Sequence, residues 1–144
     1  MLLKLSDQVI KDIVNDDPVR PHINAEWRTQ HGREVYGLYT DESFEDLRAV
    51  ICVAYTDQVP TCEGDMHLVG SNVAVFYTVW SYDRGAGKEI VFAVAEHIRK
   101  TNPDVKRWVT LSPLTEMARN FHLKNGAKFI QRHIDCQNFE YEVM

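Results

Sequence analysis

Long apolar runs are missing from this sequence. Its uninterrupted hydrophobic stretches are only strand-length, and the opening MLLKLSDQVIKD is charged too soon for a signal peptide, so neither a membrane-spanning helix nor a membrane partner is expected. Cysteine is scarce. Cys52, Cys62 and Cys136 are odd in number, far apart and without a Cys-x-x-Cys pair, which offers neither a disulfide framework nor a zinc site and suits a reducing cytoplasm. No metal-ligand spacing occurs elsewhere, and no metal is expected. Positive charge is in deficit: 16 Lys and Arg stand against 21 Asp and Glu, a net charge of −5, which argues against nucleic acid as a partner. Neither the P-loop spacing nor Gly-x-Gly-x-x-Gly is present. Internal repeats and low-complexity tracts are absent as well.

What remains is a chain of 144 residues, 44% hydrophobic and 26% charged, the size and composition of one domain over 1–144 with its own core. Met1–Leu5 reads as a first strand. Ser6 caps a helix over Asp7–Val14, with Val9, Ile10, Ile13 and Val14 on one face. Residues 19–32 show no period and hold Arg20, His22, Trp27, Arg28 and His31, either as a surface loop or short helix or as a loop over a pocket. Glu34–Thr40, Leu47–Thr56 and Asn72–Tyr82 are strands, the last apolar throughout and so covered on both faces. Gly85–Lys100 is a helix with Ile90, Val91, Val94, Ala95 and Ile98 as its stripe. Lys106–Leu111 is a buried strand. Leu114, Met117, Ala118 and Phe121 recur as a helix packed on a sheet, and Gly126 suits the left-handed position that ends it. Ala127–Ile134 and Asn138–Val143 are two last strands, with Cys136-Gln137 as their connection. The order predicts an α/β (α+β sandwich) domain, a twisted mixed sheet with helices on both faces.

The turn Arg84-Gly85-Ala86-Gly87-Lys88 lies between a strand and a helix. The first turn of a helix leaves about four N–H groups unpaired and partly positive. Two glycines let a ligand approach that backbone closely, and Arg84 and Lys88 add charge. The arrangement suits a pyrophosphate.

These residues resemble the GCN5-related N-acetyltransferase (GNAT) superfamily, whose pyrophosphate loop follows the fourth strand as Arg or Gln, two residues, Gly, one residue, then Gly or Ala. Arg84 and Gly87 match, and Glu89 stands at the last small position. A second family block matches at Ala118, Phe121, Lys124 and Gly126, with His122 where the general-acid tyrosine usually stands. Val109-Thr110-Leu111-Ser112-Pro113 and Phe121-His122-Leu123 with Asn125-Gly126-Ala127 look more closely like the catalytic domain of malonyl-CoA decarboxylase, although here the two blocks are nearly contiguous. The resemblance implies a coenzyme A thioester, acetyl-CoA or malonyl-CoA, as substrate. It implies His122 and Ser112 as the catalytic pair, and Arg84, Gly85, Ala86, Gly87, Lys88 and Asn125 as contacts for the cofactor. A decarboxylase-like enzyme with His122 as general acid is the leading expectation. One alternative is an N-acetyltransferase acting on an amine or protein acceptor, with Glu34 or Asp83 as base. The other is a non-catalytic binding or structural protein like the small GNAT-like proteins of tailed bacteriophages, placed in a host cytoplasm or a virion. An oligomer stays open.

Geometry bears on the pair. Ser112-Pro113 is a standard helix start. An unbroken helix from Ser112 to His122 would hold them roughly 15 Å apart, so they meet only if Pro113–Glu116 is looped.

Overall fold

Alternation along one central strand fixes the layers of the computed structural model, which describes residues 1–143. In β3 (Leu47–Thr56), Ala49, Ile51, Val53 and Tyr55 pack to one face and Val50, Cys52 and Ala54 to the other, and all are buried. A strand apolar on both faces needs cover on both. Helix α3 (Ala86–Thr101) covers the first face with Ile90, Val91, Val94, Ala95 and Ile98. Helices α1 (Asp7–Lys11) and α2 (Ala25–Thr29) cover the second, where Ile10, Ala25 and Met66 are buried.

The sheet is mixed. It contains β1 (Leu2–Lys4), β2 (Arg33–Tyr39), β3, β4 (Val73–Ser81), β5 (Arg107–Thr110), β6 (Ser112–Pro113), β7 (Lys128–Arg132) and β8 (Cys136–Tyr141). Their order is β1-β2-β3-β4-β5-β8-β6, with β7 also on β8. The pairings are antiparallel except β4 with β5, which run parallel and are joined by the α3 crossover. Helix α4 (Glu116–Lys124) follows β6 and leads into β7. The mixed α/β class expected from the sequence is therefore the one observed. No helix among the described residues is long and apolar enough to cross a membrane.

Two features of β4 set up the site. Opposite β3 its register jumps between Cys52↔Thr78 and Val53↔Phe76, so Tyr77 is an extra, bulged residue. Such a bulge bends and twists the strand that carries it. Beside it, the β4–β5 ladder runs only from Val73↔Arg107 to Phe76↔Thr110, with one last bond from Leu111 N–H to the Phe76 carbonyl at 3.2 Å. Past that point the strands separate.

Several local expectations change. Helix α1 stops at Lys11, and a 3₁₀ turn over Val14–Asp16 replaces its last turn. The aperiodic segment 19–32 contains α2, started by Asn24, whose side chain accepts the Trp27 N–H at 2.7 Å. Ser112-Pro113 does not start a helix. It pairs with Gln137 and Cys136 of β8, and the helix begins four residues later behind Thr115, which accepts the Ala118 N–H at 3.2 Å. Strand pairing at long range has overridden a local cap signal. For the same reason Cys136-Gln137 belongs to β8 rather than to a connection, and Ile134 lies outside β7 at 92% exposure.

Candidate functional site

The fork between β4 and β5 opens into a cavity of about 850 Å³. Residues from Phe76 to Tyr82 form one wall, and Leu111, Ser112 and Pro113 form the other. Met117, Ala118, Phe121 and His122 of α4 close it, and Asp16, Pro18 and Val19 of the α1–α2 segment lie along its side. Of the stripe expected to pack on the sheet, Phe121 does pack against the core while also lining the cleft, Leu114 lies before the helix, and Met117 lines the cleft at 84% exposure. Apolar period alone does not distinguish a core from a cleft wall.

His122 and Ser112 both reach the cleft wall, since Leu114 and Thr115 form an exposed joint rather than a helical turn. They are not hydrogen-bonded to one another among the described residues. The Ser112 hydroxyl donates to the Thr110 hydroxyl at 2.8 Å, and Thr110 also accepts the Phe139 N–H at 3.0 Å. His122 is buried, stacked on Phe139, with its Nδ1 2.7 Å from the Tyr141 hydroxyl. Burial lowers the His122 pKa to about 4, so its ring is neutral at neutral pH. Burial likewise raises the Tyr141 phenol well above its ordinary value, so Tyr141 stays protonated. With that O–H as donor, Nδ1 is the acceptor and the ring proton sits on Nε2. Tyr141 reads from the sequence as strand packing; its part in this pair comes from register, which stacks β8 beside α4.

The glycine turn sits at the end of the same cleft. Gly85 is the residue before α3, at φ 83°, a region that side chains enter at a cost. Gly87 lines the cleft, and a Cβ there would stand 3.3 Å from the Phe121 ring. The Ala86 N–H bonds the Asp83 carbonyl at 3.2 Å, while the Gly87 and Lys88 N–H groups have no acceptor among the described residues. Arg84 and Lys88 are exposed beside them. Glu89, at the position of the last small residue, is held by Arg48, which bonds Asp83 at 3.0 Å and Glu89 at 3.2 Å. Two carboxylates at the turn are thus tied to one guanidinium.

Asn125 lies at the C-terminal end of α4, its side-chain nitrogen buried without a partner, and is not a cleft-lining residue. The expected bases are elsewhere. Glu34 accepts from Tyr36 at 3.1 Å and Tyr55 at 2.6 Å and pairs with Lys4 at 3.1 Å, beside two other cavities of about 530 and 310 Å³. Asp83 is engaged with Arg48.

The carboxylate in the cleft is Asp16, the one formally charged side chain among its described lining residues. It accepts from the Tyr82 hydroxyl at 2.6 Å, which in turn accepts the Trp80 indole N–H at 2.9 Å. Burial, with the bond to Asp16, pushes the Tyr82 phenol up to about 12. Nothing in the local sequence marks Asp16 beyond its place in a turn. The pairing spans 66 residues.

This architecture is the fold of GNAT acyl-CoA N-acyltransferases. Among solved structures, malonyl-CoA decarboxylase from Agrobacterium vitis superposes with a TM-score of 0.69 at 22% identity, over 84% of this chain and 35% of that one. Malonyl-CoA decarboxylase from Rhodopseudomonas palustris gives 0.74 at 17%, over 98% and 59%. The protein NAA60 of Arabidopsis thaliana, in complex with acetyl-CoA, gives 0.68 at 11%, over 98% and 97%. The chain thus spans about a third and about three fifths of the two decarboxylases. No family model matches it, and no curated protein does.

Proposed function

We propose that this protein binds a coenzyme A thioester in the β4–β5 cleft and transfers its acyl group to an amine. The observation that carries the transfer is Asp16. Among its described lining residues the cleft carries one carboxylate and no cation, Arg84 and Lys88 standing outside that lining at the glycine turn, and this favours a positively charged co-substrate beside Asp16. The unpaired Gly87 and Lys88 N–H groups would take the pyrophosphate, with Arg84 and Lys88 adding charge. Asp16 would accept a proton from the ammonium, directly or through water. The freed amine attacks the thioester carbonyl, the C–S bond breaks, and the amine nitrogen's remaining excess proton passes to the departing thiolate, with the Nε2–H of neutral His122 as a hydrogen-bond donor to that sulfur. The buried, unpartnered Thr78 hydroxyl on the cleft wall is a candidate donor to the carbonyl oxygen in the tetrahedral intermediate.

Decarboxylation of malonyl-CoA is the second reading. It is supported by the presence of both Ser112 and His122 on the cleft wall and by the likeness to the two decarboxylase structures. Its apolar walls would favour loss of CO2 from a desolvated carboxylate. Asp16 weighs against it, because a malonyl carboxylate would share the cleft with a like charge.

Calorimetric titration with CoA, acetyl-CoA and malonyl-CoA is the first test. Binding of acetyl-CoA, with free CoA released only when an amine is added, supports transfer. Acetyl-CoA formed from malonyl-CoA without an amine supports decarboxylation instead. Binding of none of the three points to a non-catalytic GNAT-like protein.

A further inference from the structure

Where two parallel strands part, their carbonyls lose the N–H donors of the ladder, and buried carbonyls without partners are costly. At this fork the carbonyls are those of Tyr77 on β4 and Leu111 just after β5, and both are bonded by one side chain. Arg20 donates through Nη1 to the Tyr77 carbonyl and through Nη2 to the Leu111 carbonyl, the latter at 2.9 Å. Its Nε donates to Glu63 at 3.1 Å. Arg20 is 5% exposed, and its guanidinium is a planar group whose donors diverge, which suits the spanning of a gap.

The guanidinium is itself held in place. Asp17 accepts the Arg20 N–H at 2.8 Å, and the fully buried Arg28 bonds the Arg20 carbonyl at 2.6 Å and the Asp17 carboxylate at 2.8 Å. Glu63 is shared with His22 at 2.8 Å. The segment that brings Arg20 to the fork also lines the cleft with Asp16, Pro18 and Val19, and Tyr82 fastens its other end through Asp16.

We infer that Arg20 is a positioning residue for the thioester reaction: it takes the place of the missing ladder donors and holds the β4–β5 cleft open before any ligand arrives. The inference rests on the thioester reading above. Arg20 does not line the cleft. It acts through the strand ends that carry the bulged Tyr77, its neighbour Thr78 and Ser112. Its effect should therefore fall on the acyl and pantetheine end of a ligand. The nucleotide end, at the glycine turn on α3, should not feel it.

The test compares two ligands on three proteins. Wild type and Arg20→Lys are titrated with acetyl-CoA and with adenosine 3′,5′-bisphosphate, which lacks the pantetheine arm, and folding is followed by thermal unfolding. One ammonium cannot serve two carbonyls and Glu63 at once. Arg20→Lys is expected to weaken acetyl-CoA about tenfold, the worth of one lost charged hydrogen bond, and to leave the bisphosphate unchanged. Unchanged acetyl-CoA affinity, or equal loss for both ligands in a folded variant, overturns the inference. If Arg20→Lys does not fold, Glu63→Gln decides, since Glu63 is partly exposed and its loss frees one side of the guanidinium. A selective loss of acetyl-CoA affinity upholds the inference and no selective loss overturns it. Wild type that binds neither ligand sinks the thioester reading and this inference with it, before any variant is compared.

Discussion

The Nδ1 of His122 and the hydroxyl of Tyr141 lie 2.7 Å apart, on an α4 side chain and a β8 side chain buried behind the cleft. The bond fixes which ring nitrogen can donate outward. Tyr141→Phe removes the donor and frees the tautomer. Amine-dependent CoA release is expected to fall about tenfold in that variant, and by about 10² or more in His122→Ala. Equal rates in wild type and His122→Ala would remove His122 from the chemistry.

The same histidine makes stability depend on pH. Its folded pKa of about 4 is below the unfolded value of about 6.5, so the unfolded chain binds the proton first. The contribution is complete above about pH 6.5 and is lost as pH falls toward about 4, on the order of 3 kcal/mol in all. Urea unfolding across that window should show a steeper decline in wild type than in His122→Gln.

Asp16→Asn keeps the size of the side chain and removes the charge. The KM for a cationic amine is expected to rise about tenfold while acetyl-CoA affinity stays unchanged. A change of acetyl-CoA affinity alone would place Asp16 with the thioester and not with the amine.

Arg28 and Asp17 are both fully buried and 2.8 Å apart, so removal of either leaves an uncompensated charge. Arg28→Met is expected to cost about 3–5 kcal/mol in urea unfolding. Glu96→Gln on α3 should leave urea unfolding nearly unchanged, although Glu96 pairs with Arg99 at 2.6 Å, because that pair is solvent-screened.

Gly85→Ala places a side chain at φ 83°. It should destabilise by about 1–2 kcal/mol and weaken CoA, because the strain relaxes by moving the turn. Gly87→Val should weaken CoA more, since the added atoms meet the Phe121 ring in the cleft.

The layers were legible because they follow from period. The unbroken apolar run of β4 calls for cover on both faces, the stripe of α3 announces a buried face, and the glycines mark the turn before α3. What escaped were pairings between distant residues. Arg20 meets carbonyls 57 and 91 residues away, and no local pattern distinguishes it from other arginines in a loop. Ser112-Pro113 carries a genuine helix-start signal, yet β8 recruits it as a strand. Met117 has the right period for a core and faces the cleft instead, a matter decided by what lies opposite.

The exposed joint at Leu114 has a consequence for how such a site changes over time. On one side Ser112-Pro113 is held by β8, and on the other Thr115 starts α4 by its own hydrogen bond. Neither anchor depends on the length of chain between them. Extra residues spliced in after Pro113 would leave the serine and the histidine where they are. Ser112 and His122 are thus separable in sequence while each is fixed in space by its own anchor.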